Sequence, residues 1–74
     1  MKIIYLRWLD SATGEGWQNK PNGKSGLDHI ESVGYLIYED KKEIRIASSF
    51  DECKHYLGVL AIPKSVILER RKIK

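Results

Sequence analysis

The chain has 74 residues, with thirteen Lys and Arg against ten Asp and Glu for a formal net charge of +3, and 42% of its residues are hydrophobic. That is globular composition in a length that holds one small domain, 1–74, which excludes a two-domain enzyme and any fold needing several βαβ units. No apolar run approaches the ~20 residues of a membrane span, and one Cys cannot make an intrachain disulfide, so a reducing cytosol is the expected setting.

Period-two alternation of apolar residues, the strand signature, runs through most of the chain and predicts five strands. In the first, Ile4, Leu6 and Trp8 share one face, with Ile3, Tyr5 and Leu9 on the other. Ser11 to Gly26 then holds Gly14, Gly16, Gly23 and Gly26 with Pro21, Asn19 and Asn22, a loop beyond the ~12–15 residues above which structureless loops are uncommon in compact domains. Trp17 in that loop either folds back as a lid over the barrel end or presents itself to a ligand. Lys20 and Lys24 beside it would suit a phosphate-bearing ligand.

In the second strand Val33, Tyr35 and Ile37 alternate with Gly34, Leu36 and Tyr38, and Tyr35, Tyr38 and Tyr56 would add to a contact surface if they point outward. Glu39-Asp40-Lys41-Lys42-Glu43 reads as a charged hairpin tip. Ile44, Ile46 and Ser48 against Glu43, Arg45 and Ser49 give a half-exposed third strand. Ser49 with Glu52 resembles a capping box, and Cys53, Tyr56, Leu57 and Leu60 match helical spacing, so a helix competes with a strand over 56–62, and a single helical turn over 49–54 stays open. Tyr56 to Ile62 is nearly all apolar, as expected of a buried fourth strand. Ile62-Pro63-Lys64-Ser65 is expected to form a tight turn or one turn of 3₁₀ helix before a fifth strand over Val66 to Ile73.

Charge is polarised: residues 1–40 carry a balance of −2 and residues 41–74 one of +5. The run Arg70-Arg71-Lys72 is either a phosphate-contact strip or a solvated edge strand whose charges block edge-to-edge aggregation. Domains below roughly 70–80 residues seldom draw more than ~3–5 kcal/mol from their own core, so a homo-oligomer or a partner-bound state is expected.

Several tempting motifs fail on spacing. Gly23-Lys24-Ser25 lacks a Gly five residues earlier, where position 18 is Gln, so it is no phosphate loop. Gly14-Glu15-Gly16 has no third Gly for a dinucleotide fingerprint. On a strand Cys53 and His55 would project to one side, but catalysis would also need an orienting group and an oxyanion site. One Cys and two scattered His lack paired metal-ligand spacing. No cofactor, metal or catalytic residue is expected.

The combination Trp8-Leu9-Asp10, Gly16-Trp17, Ser32-Val33-Gly34-Tyr35-Leu36, Ala47-Ser48-Ser49, Ala61-Ile62-Pro63-Lys64 and Ile67 resembles a family of small bacteriophage and prophage proteins. The resemblance implies a phage accessory product made in a bacterial host cytoplasm, and it supplies no catalytic residues. At the level of fold, the chain looks like a small SH3-like or Sm-like barrel, or a rolled antiparallel sheet, with a long Gly-rich first loop. In Sm-like RNA-binding rings the turn before the last strand helps line the nucleotide site, and Lys64 would occupy it here. The first loop is longer than the Sm pattern, and Lys54-His55, similar to the basic pair of bacterial Sm-like proteins, falls before the fourth strand.

The functional expectation is a non-enzymatic accessory protein that binds and inhibits a host factor, for instance a defence component. It would act by protein contact or by capturing a nucleotide signal. Trp17, Lys20, Lys24, Tyr35, Lys64, Arg70 and Arg71 are the candidate contact residues. The alternatives are an Sm-like nucleic-acid binder using Lys64 and the Arg70–Lys74 strip, and a small enzyme whose site is assembled across subunits.

Overall fold

The computed structural model describes residues 1–11 and 27–74. The long first loop, with Trp17, Lys20 and Lys24, lies outside the described residues. The elements are β1 (Ile3–Ser11), β2 (Leu27–Glu39), β3 (Glu43–Ala47), β4 (Ser49–Phe50), β5 (Tyr56–Leu57), β6 (Leu60–Pro63), a 3₁₀ turn (Lys64–Val66) and β7 (Ile67–Lys72). Five of the strands form one antiparallel sheet in the order β6-β3-β2-β1-β7, and β4 with β5 makes a separate two-stranded arm. The all-β, five-stranded expectation is met as a rolled antiparallel sheet. It is not a closed barrel, because among the described residues no ladder joins β6 to β7.

The alternation in β1 sets the inner face. Ile4, Leu6 and Trp8 are buried together with Ile44, Ile46 and Ile62, and Ile30, Leu36, Val66 and Ile67 pack against them. The Trp8 indole N–H donates to Ser32 Oγ across the β1–β2 ladder at 3.1 Å, so its polar edge is satisfied in the core. Register shifts at Arg7/Trp8 and at Leu36/Tyr38 curl the sheet around this core. Curling brings β3 close over Gly34, where a Cβ would stand 2.9 Å from the Ala47 carbonyl oxygen and 3.1 Å from Ile46 Cβ. Only glycine permits that approach.

The connections follow from short polar side chains. At the charged hairpin tip Asp40 Oδ1 accepts the backbone N–H groups of Lys42 (2.8 Å) and Glu43 (2.9 Å), while Tyr38 donates to Oδ2 (2.8 Å). After Pro63 the expected 3₁₀ turn forms, and Lys64 N–H donates to the Lys42 carbonyl at 2.7 Å.

Two expectations are corrected. Tyr56 to Ile62 is not one buried strand: the chain breaks at Gly58, whose φ of +67° favours glycine, into β5 on the arm and β6 in the main sheet. Ser48 drives the break, donating both its N–H (3.0 Å) and its Oγ–H (2.9 Å) to the Leu57 carbonyl and so drawing Tyr56–Leu57 toward β4. Of this run only Ile62 is buried, and Leu57 is 69% exposed. Residues 49–54 hold no helical turn. Ser49–Phe50 is extended, and Asp51 builds the turn that follows, its carbonyl accepting Lys54 N–H at 3.0 Å, with Lys54 in the left-handed region at φ 65°.

Candidate functional site

The arm carries an aromatic column rooted in the main sheet. Tyr35 on β2 meets the Phe50 ring edge-on, with centroids 4.9 Å apart at 84°, and Phe50 meets Tyr56 at 6.4 Å and 65°. Lys54 Nζ lies 4.9 Å from the Phe50 centroid. At the tip Asp51 Oδ1 accepts the N–H groups of Cys53 (2.9 Å) and His55 (2.8 Å), and its Oδ2 stands 3.0 Å from His55 Nδ1. The bond from the His55 N–H and the contact with the imidazole hold the Asp51 carboxyl below the usual range. Ser49, Phe50, Asp51, His55, Tyr56 and Leu57 enclose an open recess of about 350 Å³. Phe50, Tyr56 and Leu57 give the recess aromatic and aliphatic walls, with Ser49, Asp51 and His55 as its polar lining, a mix that suits an apolar group with a polar margin.

Cys53 and His55 sit on this turn, not on a strand, so strand alternation does not set their sides. The group facing the imidazole is Asp51, and the Cys53 thiol is exposed.

Lys64 and Arg70 do come together, but on a carboxylate of the same chain. Arg70 grips Glu39 with both guanidinium nitrogens, Nη1 at 2.8 Å from Oε2 and Nη2 at 3.0 Å from Oε1, and Lys64 Nζ reaches Oε2 at 2.7 Å. Arg70 first, and Lys64 after it, pull the Glu39 carboxyl from its ordinary 4.5 down to about 2. Ile44, Lys64, Ile67 and Arg70 line a shallow cleft of about 260 Å³ here, and the three ionic side chains latch β2 to β7 where no ladder does.

Arg71 turns to the opposite face of the sheet. There it pairs with Glu69 (3.0 Å) and lies 4.4 Å over the Tyr5 ring. Tyr5 in turn donates to Glu31 at 2.7 Å, an interaction that raises the phenol pKa. Arg7 adds a second contact to Glu69, at 3.4 Å. Arg70 and Arg71 therefore do not make one cationic strip.

Of the candidate contact residues that are described, only Tyr35 packs against the arm, from β2 through Phe50. The sequence reading missed Phe50 and Asp51. The available signal for the second was Asp51 four residues before His55, with a turn-forming side chain placed to accept the intervening N–H groups. Among the described residues no group of three or more His, Cys, Asp or Glu is arranged to hold a metal ion, and no helix is long and apolar enough to cross a membrane. Comparison with family models, with curated proteins and with solved structures finds no match.

Proposed function

We propose that the chain is a non-enzymatic binding protein that seats an apolar anchor side chain of a partner protein in the recess of its β4–β5 arm. The carrying observation is that recess, walled by Phe50, Tyr56 and Leu57 on an exposed two-stranded projection. Exposed aromatic and aliphatic walls are what contact hot spots are made of, whereas an isolated exposed Leu would need no explanation. In line with the resemblance to phage and prophage products, the partner is a host factor in the bacterial cytoplasm, a defence component being the case to try first, and contact inhibits it.

Protein contact is favoured over nucleotide capture because the recess is walled by Phe50, Tyr56 and Leu57, and its polar lining, Ser49, Asp51 and His55, includes an anion and no Lys or Arg to hold a phosphate. Nucleic-acid binding is weaker for a similar reason: Lys64, Arg70 and Arg71 each already hold a carboxylate.

The test is affinity capture from host lysate with the wild type and with Leu57→Asp, followed by titration of the retained protein. Leu57→Asp should weaken binding tenfold or more, a loss of about 1.4 kcal/mol or greater, while the far-ultraviolet spectrum stays the same. Equal capture by both chains would remove the arm from the mechanism. A retained mass of a few hundred daltons in native mass spectrometry would instead favour nucleotide capture.

A further inference from the structure

We infer that β6 is a dimerisation edge, pairing antiparallel with β6 of a second copy about a twofold axis at Ala61. The sheet has two edge strands, and they differ in kind. β7 carries Arg70, Arg71 and Lys72, the usual guard against edge-to-edge pairing. β6 lies in the run Tyr56–Pro63, which carries no charged residue, and among the described residues it pairs only with β3.

Backbone orientation makes the edge usable. The Lys64 N–H bond to the Lys42 carbonyl fixes the alternation of the β3–β6 ladder, so Ile62 and Leu60 exchange bonds with β3. Ala61 and Pro63 then turn their backbone groups away from β3. Pro63 has no N–H to offer, which is why proline is tolerated there. With the axis at Ala61, each Ala61 N–H meets the Ala61 carbonyl of the other copy. Ala61 has the smallest side chain of the strand and stands on the axis itself, while Leu60 and Val59 extend exposed apolar surface beside it.

The occupant is a second copy for two reasons. Two chains of net charge +3 can meet along this run without setting like charges against each other. Among the described residues the core has eight buried hydrophobic side chains, a small core for which a brace would help. A four-residue edge buries less than the ~800 Å² per partner of a standard interface, so the dimer is weak and concentration-dependent. The inference does not rest on the arm reading, and Leu57→Asp leaves it unchanged.

The test is analytical ultracentrifugation of the full chain from micromolar to millimolar concentration, wild type against Ala61→Pro. The substitution deletes an N–H that the β3–β6 ladder does not use, and it should raise the dimer dissociation constant about thirtyfold or more, since two symmetric bonds are lost. Wild type that stays monomeric across the range, or a dimer untouched by Ala61→Pro, would overturn the inference. If Ala61→Pro does not fold, amide exchange of the wild type decides: the Ala61 N–H should be protected at high concentration and exchange freely on dilution. Free exchange at both concentrations would equally overturn it.

Discussion

At Glu39 two cations from the far end of the chain, Lys64 and Arg70, converge on one carboxylate, and the consequence is a pH-dependent contribution to stability. The carboxyl falls from 4.5 to about 2 on folding, chiefly through the bidentate Arg70 contact and then Lys64. The unfolded chain therefore takes up this proton first as the pH drops. The contribution is complete above about 4.5 and disappears as the pH falls toward 2. With the Glu39 side chain 29% exposed and its partners somewhat more so, screening reduces the network to about 1–2 kcal/mol. Glu39→Gln should lower the urea midpoint by a corresponding amount at pH 7, with the gap to wild type closing between pH 4.5 and 2. A gap that persists unchanged at pH 2 would mean that packing, not charge, joins these residues. Sequence alone picks out Lys64 and Arg70 as cations in useful positions. It does not show that their anion lies 31 residues before Arg70, because no local period links a hairpin tip to the last strand.

At the scale of elements, alternation predicts the inner face of β1 and β3 correctly because the inward set, Ile4, Leu6 and Trp8 with Ile44 and Ile46, is uniformly apolar and buried, while the other face mixes in the half-buried Arg7, Glu43 and Arg45. It fails for Tyr56 to Ile62, where an unbroken apolar run looks the same whether it is buried in a sheet or exposed on a projection. Ser48 decides the matter through two hydrogen bonds to a single carbonyl, and Gly58 supplies the turn. Neither residue belongs to a hydrophobic pattern. The arm they create is held to the sheet mainly through Phe50, packed between Tyr35 and Tyr56. Phe50→Ala should therefore loosen the arm more than the domain. Amide exchange at Ser48 and Asp51, whose N–H groups bond to Leu57 and His55, should speed up, while Ile4, Leu6 and Ile44 in the core keep their protection. The two aromatic contacts set the expected loss at about 1–2 kcal/mol locally. Uniform acceleration across the core would show instead that the arm and sheet unfold together.

For the molecule as a whole, the question is whether a net charge of +3 makes a phosphate-binding surface. The basic excess of residues 41–74 argues for one, and the geometry of the cations argues against it. Arg70 is committed to Glu39 on the inner side, Arg71 and Arg7 share Glu69 on the outer side, and Arg45 pairs with Glu43 at 2.7 Å. A polyanion would have to displace a carboxylate at each of these positions, and the guanidiniums face different ways. The apparent affinity for single-stranded RNA or DNA should therefore stay in the range of non-specific binding, about 10⁻⁴ M or weaker at physiological salt, with few counterions released. Fluorescence anisotropy with a labelled oligonucleotide from 50 to 300 mM salt measures both quantities. A log–log slope of about −3 or steeper, together with micromolar affinity, would mean that several of these ion pairs open for phosphates. The Sm-like reading would then take precedence over the arm. A flat response would remove phosphate binding as a competitor to the proposed role of the apolar arm in this small molecule, 43 Å in its longest extent.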